Sequence, residues 1–176
     1  MKSLPRRVFN RLLHRLANAL PGARTLRPML HRMRGVKIGR NVFIGDDVYL
    51  ENEYPEAVEI QDGAVISLQS TLIAHAGNPA KQIGLIAGRI VIGRDVFIGA
   101  CTVIIANPGS ELRIGDGAVI GACSAQVGRS VAPYAFIQPA PSEQVGTAKV
   151  ALPVAKTYME FVTGLRPHKR VLGRFI

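Results

Sequence analysis

The chain has 176 residues and a mass of 19.0 kDa, and its 48% hydrophobic content gives enough apolar material for one domain with a sizeable core. Eighteen glycines, 6% aromatic residues and no tryptophan favour many tight turns over a few large packed helices, and two cysteines exclude a disulfide scaffold. The net charge of +10 is uneven: residues 1–40 hold eleven basic and no acidic side chains, residues 41–148 five against eleven, and residues 149–176 six against one, without the interleaved aromatics of a nucleic-acid-binding groove.

No apolar run reaches the roughly 18 residues that cross a bilayer. With no secretory pattern and so few cysteines, a reducing cytoplasm is the expected compartment. Residues 1–35 form a basic N-terminal segment. Within it residues 5–20 read as an amphipathic helix, with Val8, Leu12, Leu16 and Leu20 on one row, Phe9, Leu13 and Ala17 beside it, and Arg7, Arg11 and Arg15 as the opposing basic row. Pro21-Gly22 stops it. This helix either covers the exposed end of the domain that follows or rests on an anionic membrane surface at the inner face of the membrane.

Residues 36–148 carry an internal repeat. IGRNVFIGDDVYLENE from Ile38, IQDGAVISLQSTLIAH from Ile60, IGRDVFIGACTVIIAN from Ile92 and IGDGAVIGACSAQVGR from Ile114 align by eye, and in each an isoleucine returns six positions later, at Ile44, Ile66, Ile98 and Ile120. The starts lie 22, 32 and 22 residues apart, which fits an 18-residue coil of three six-residue sides with insertions of 4, 14 and 4. One aliphatic side chain per side points inward, while Gly, Asn or Asp beside it turns the corner. Coils stacked at the ~4.8 Å spacing of parallel strands then bury columns of Ile and Val that no single coil could bury. No helical stretch separates the strands, so an ordinary parallel α/β sheet is disfavoured.

His75 is the one histidine inside the repeat, since His14, His31 and His168 fall in the basic ends. It occupies offset 15 of its coil, where the preceding coil has Glu53 and the following one Asn107, so the three are expected in one column. A 14-residue insertion, residues 76–89 (AGNPAKQIGLIAGR), leaves the coil directly after it and brings Asn78 into its neighbourhood. Insertions in regular solenoids gather on the binding face. By residue type alone His75 serves either a structural role or proton transfer, a task for which histidine is suited as a residue type. Cys101 and Cys123 share offset 9 and are expected to stack in adjacent coils as packed core thiols. A phosphate-binding loop is absent from the sequence, and one histidine cannot supply the three that a zinc site on such coils would need, so no metal is expected.

The four aligned coils, from about Val36 to Val145, resemble the hexapeptide-repeat acyltransferases, in particular those that acetylate sugars and polysaccharides. The resemblance implies an all-β fold, a left-handed parallel β-helix of hexapeptide repeats with short helical segments at the N- and C-terminal ends, assembled as a homotrimer. It implies acetyl-CoA as donor, a hydroxyl of a sugar or surface-polysaccharide precursor as acceptor, and a single histidine before a protruding loop as general base, the placement of His75 in LIAHAGNP. Glu53, Asn78 and Asn107 are then candidates for orienting the histidine or binding the acceptor. The Phe97-Ile98-Gly99-Ala100 step implies the Ala100 backbone N–H as oxyanion donor, and Gly99, Ala100, Ala122, Ser124 and Arg129 as coenzyme contacts. The resemblance is broken at Gln138-Pro139-Ala140-Pro141-Ser142-Glu143, where relatives carry Gly-x-Pro-Ala and then a basic residue. That departure keeps open a non-catalytic scaffold or regulatory subunit, and transfer to an amino group would use the same base. Residues 149–176 leave the repeat as a basic C-terminal extension, with a short helix expected between Pro153 and Gly164.

Overall fold

The computed structural model describes residues 3–76, 86–140, 146–149, 154 and 156–167. They divide into two units, Met1–Pro139 and Ala140–Ile176.

The first unit is a three-sided parallel β-helix preceded by two α-helices. One face stacks the strands Lys37–Ile38, Val58–Ile60, Arg89–Ile92 and Glu111–Ile114. The second stacks Phe43–Ile44, Val65–Ile66, Phe97–Ile98, Val119–Ile120 and Phe136–Ile137, and the third Tyr49–Leu50, Thr71–Ile73, Val103–Ile105 and Ala125–Val127. All of these pairings are parallel, and the repeated isoleucines lie in register: Ile38, Ile60, Ile92 and Ile114 in one column, Ile44, Ile66, Ile98, Ile120 and Ile137 in another. With Leu50, Leu72 and Ile104 from the third face they form a continuous buried core. A fifth, shorter coil opens at Val131, which bridges to Ile114. Its inward pair, Val131 and Ile137, keeps the six-residue period of the other coils.

Corners turn on residues in the left-handed region. Asn41, Gly63, Asp95, Gly117 and Tyr134 line one corner, and Asp47, Gln69, Cys101 and Cys123 the next. The cysteines therefore stack as their shared offset expects, but on an exposed corner rather than in the core. A turn residue with positive φ must direct its side chain outward to spare the coil beneath.

Helix α1 (Leu4–Ala19) matches the expected amphipathic segment, and a second helix, α2 (Leu26–Arg34), follows it. Leu13 and Ala17 of α1 pack with Leu30 of α2 in a small core of their own. The first coil of a β-helix exposes an edge of unpaired backbone groups that invites aggregation. Here α2 and its approach cover that edge with one arginine per face. Arg32 donates to the carbonyls of Ile38 and Gly39, Arg27 to that of Ile44, and Arg34 to those of Leu50 (3.1 Å) and Glu51 (2.8 Å). The Ile44 N–H finds the Ala23 carbonyl at 2.8 Å. Capping of the first coil, one of the two roles open to this segment, is thus met chiefly by α2.

Arg34 is fully buried, and its Nη1 lies 3.0 Å from His14 Nδ1 and 2.7 Å from His31 Nδ1. A guanidinium only donates, so both imidazoles must accept through Nδ1 and stay neutral. Burial first, then the Arg34 charge, lowers His14 to about 4 and His31 to about 3.

In the second unit, the strand Gly146–Ala148 pairs antiparallel with Leu165–Pro167. Helix α3 (Tyr158–Thr163) is shorter than the expected Pro153–Gly164 segment. It starts where the Thr157 hydroxyl accepts the Glu160 N–H at 3.1 Å and the Glu160 carboxylate accepts the Lys156 N–H at 2.7 Å.

Candidate active site

His75 stands just beyond the third face, on the coil that opens at Ile60. His75–Ala76 pairs antiparallel with Ile86–Ala87, which anchors both ends of the insertion against the coil, and Gly88 N–H donates to the Ala74 carbonyl at 2.6 Å. Asn78 lies outside the described residues. The side chain of His75 is a quarter exposed, and its Nδ1 is engaged by protein.

The engaged edge meets Glu51, not Glu53. Glu51 is fully buried, and its Oε2 lies 2.7 Å from His75 Nδ1 while accepting the Ala74 N–H at 2.8 Å. Its Oε1 accepts the N–H groups of Glu53 at 2.8 Å and Tyr54 at 3.2 Å. Burial alone would push this carboxyl up, but the hydrogen bonds from His75, Ala74 and Tyr54, with the His75 charge, outweigh it and hold Glu51 below the usual carboxylate range. An ionised carboxylate only accepts, so Nδ1 carries a proton on this edge, and in the neutral tautomer that Glu51 selects the lone pair is on Nε2. The Tyr54 ring lies 6.3 Å from the imidazole, centroid to centroid, tilted by 57°.

Coil arithmetic misplaced the carboxylate because it assumes a regular corner after Leu50. The chain instead folds over the Glu51 side chain into a single 3-10 turn, Pro55–Ala57. Glu53 swings away to α1, where its carboxylate accepts from Arg7 at 3.1 Å and Arg11 at 3.5 Å. The sequence signal that could have found Glu51 is a carboxylate at an offset where the next two coils carry Ile73 and Ile105.

Asn107 and Arg129 do share the corner of His75, since Ile73, Ile105 and Val127 are in register two residues earlier. At the strand spacing, Arg129 stands about 10 Å from His75 along the helix axis. Both are exposed, and the Asn107 side chain covers Gly128, where a Cβ would fall 2.3 Å from its Nδ2. Among the described residues neither Glu53 nor Asn107 bonds to the imidazole.

Ala100 sits at a different corner, between the second and third faces. In one chain it is separated from His75 by the width of the third face, roughly 15 Å on the extended-strand rise. Gly99 approaches the next coil so closely that a Cβ would lie 2.4 Å from the Ala122 nitrogen. Ala122 is exposed at the same corner, one coil on. Ser124 differs from expectation: it is buried, and its hydroxyl donates to the Gly121 carbonyl at 2.7 Å, bracing the turn rather than facing a ligand. Glu143 lies outside the described residues. A surface groove lined by Lys37, Glu59, Asp62 and Arg94 opens on the charged first face and includes none of the candidate residues. Among the described residues, no three His, Cys, Asp or Glu side chains gather as a metal site would need.

Two solved structures share this architecture. One is a maltose O-acetyltransferase from Clostridium difficile 630, with 19% identity, 76% of this chain and 81% of that chain covered, and a TM-score of 0.53. The other is a galactoside acetyltransferase in complex with coenzyme A, with 21% identity, 75% of each chain covered and a TM-score of 0.50. The fold is a left-handed parallel β-helix. No protein-family model matches this chain, and no curated protein does either. A left-handed β-helix hosts more than one chemistry, so the function has to be argued from the Glu51–His75 pair and its corner.

Proposed function

We propose that the protein is an acyltransferase that moves an acetyl group from acetyl-CoA to a hydroxyl of a sugar or surface-polysaccharide precursor, with His75 as general base. The observation that carries this reading is the fully buried Glu51 carboxylate bonded to Nδ1 of a histidine that stays a quarter exposed. Nε2 takes the acceptor proton as the hydroxyl oxygen attacks the thioester carbonyl carbon. The oxyanion that forms is met by a backbone N–H, for which Ala100 is the candidate. Collapse breaks the carbon–sulfur bond, and the thiolate leaves with the proton that His75 holds. Glu51 stabilises the transient imidazolium and keeps the ring oriented throughout. Arg129, exposed on the same corner, is the candidate cation for a coenzyme phosphate.

The distance between His75 and Ala100 within one chain calls for the donor to bind between two copies. A homotrimer fits the distribution of outward side chains. Phe43, Val65, Phe97, Val119 and Phe136 form one outward column on the second face, and Ile73, Ile105 and Val127 another on the third. The first face instead carries the ion pairs Arg89–Glu59, Arg89–Glu111 and Arg113–Glu111, suited to solvent. Two apolar sides and one charged side are what a threefold bundle of prisms requires.

Calorimetric titration with acetyl-CoA and free coenzyme A tests the donor site. Binding in the micromolar range, worth about 8 kcal/mol, is expected. Absence of binding to the assembled protein would leave a non-catalytic scaffold in its place.

A further inference from the structure

Helix α1 has two apolar faces, and only one of them is covered. Asn10, Leu13, His14 and Ala17 point inward and are buried. On the opposite side Leu4, Val8 and Leu12 are 72%, 58% and 54% exposed, and Leu16, one further turn along, and Phe9 beside the row are exposed as well. The four-residue spacing places Leu4, Val8, Leu12 and Leu16 along one stripe of the helix. Packing on α2 explains the inward face and leaves this stripe without a role.

The cations around the stripe indicate what it meets. Arg7, Arg11 and Arg15 were expected opposite the apolar row. Each precedes a member of that row by one residue, so they lie only about 100° round the helix and border the stripe instead. Arg6 lies on the side of α1 that faces α2, its guanidinium 5.5 Å from the Phe9 ring centroid. No acidic residue occurs before Asp46. Arg6 donates to the carbonyls of Met33 and Arg34 and so keeps its charge unneutralised. Among the described residues Arg15 has no acidic partner, and Arg11 shares Glu53 with Arg7.

We propose that this face of α1 docks the protein on an anionic phospholipid surface, with Leu4, Val8, Leu12 and Leu16 in the headgroup boundary and Arg11 and Arg15 against the lipid phosphates. Sixteen residues span about 24 Å, too short to cross the hydrocarbon and suited to lying along its surface. A negatively charged bilayer satisfies both halves of the pattern at once, apolar contact under the stripe and counter-charge at its border. The helix is already held in place by Leu13, Ala17 and Leu30 and by Arg7 on Glu53, so docking requires no coupled folding.

The lipid-facing helix also connects to the candidate site. Arg7 donates to Glu53, the Glu53 N–H donates to Glu51, and Glu51 holds His75. If the acyltransferase reading holds, an acceptor hydroxyl carried on a membrane-anchored molecule is the substrate class this arrangement favours. The docking proposal itself stands without that reading.

The test is co-sedimentation of the full chain with vesicles of equimolar phosphatidylcholine and phosphatidylglycerol, against vesicles of phosphatidylcholine alone. The wild type is expected to sediment with the anionic vesicles at least about tenfold better than with the neutral ones. Val8→Glu/Leu12→Glu is expected to lose that binding while circular dichroism and assembly mass stay unchanged, and Met159→Glu, an exposed apolar site on α3, is expected to retain it. Failure of the wild type to bind, equal binding to neutral vesicles, or retained binding by the double variant would each overturn the proposal. A changed assembly mass in the double variant would assign the face to a second copy of the chain and overturn it too. Acetyl-CoA turnover measured in solution without vesicles reports separately on the acyltransferase reading, so the two failures are distinguishable.

Discussion

Acidification from pH 7 to pH 5 should destabilise this protein through two histidines that lie outside the candidate site. His14 and His31 both accept from Arg34 through Nδ1, and burial together with that guanidinium lowers them to about 4 and about 3. In the unfolded chain each regains a pKa near 6.5. Below pH 6.5 the unfolded state therefore binds protons that the folded state refuses, and stability falls as pH falls until the folded values are reached. Between pH 7 and pH 5 the loss is about 2 kcal/mol per histidine, so ~4 kcal/mol for the pair if they act independently. That is a large share of a typical domain's 5–15 kcal/mol. The assay is urea unfolding followed by circular dichroism at both pH values and one protein concentration, because the stability of an oligomer would depend on concentration. His31→Gln keeps an acceptor for Arg34 without a titrating ring, and should reduce the pH-dependent loss by about half. A wild-type midpoint that does not move with pH, or a His31→Gln variant that loses as much as the wild type, would refute the reasoning.

Two further outcomes follow from the same geometry. Glu51→Gln removes the acceptor-only carboxylate that fixes the His75 tautomer, and kcat should drop on the order of 10²- to 10⁴-fold with KM for acetyl-CoA little changed; steady-state kinetics check this. Asn10 is buried in α1, and among the described residues its amide has no hydrogen-bond partner, so Asn10→Leu should raise stability by about 1 kcal/mol in urea unfolding.

The coils were legible because one physical constraint, an aliphatic residue facing inward on every side, repeats at a fixed spacing from Ile38 to Ile120. The fifth coil was harder to see: it begins at Val131, only 17 residues after Ile114, and has no Ile-Gly step. Helix α2 was hidden because Arg27, His31 and Arg34 share its buried side with Pro28 and Leu30, and the burial of those polar side chains depends on the carbonyl edge they cap. His75 could be singled out from its place before the insertion. Its partner could not, since Glu51 reaches the imidazole only by folding under its own turn, an irregularity that stacking arithmetic averages away. Cys101 and Cys123 show the reverse: the column was correct, but the positive φ that turns them outward is not visible in a count of offsets.

The central claim is that His75, held by Glu51, deprotonates an acceptor hydroxyl in acetyl transfer. It is tested most directly by following thiol release from acetyl-CoA over a panel of glycoside acceptors, with wild type and His75→Ala side by side and assembly mass measured for both. The account predicts acceptor-dependent release by the wild type, and a fall of about 10²- to 10⁴-fold in kcat for an intact His75→Ala assembly that still binds acetyl-CoA. Equal turnover by the two proteins would contradict it.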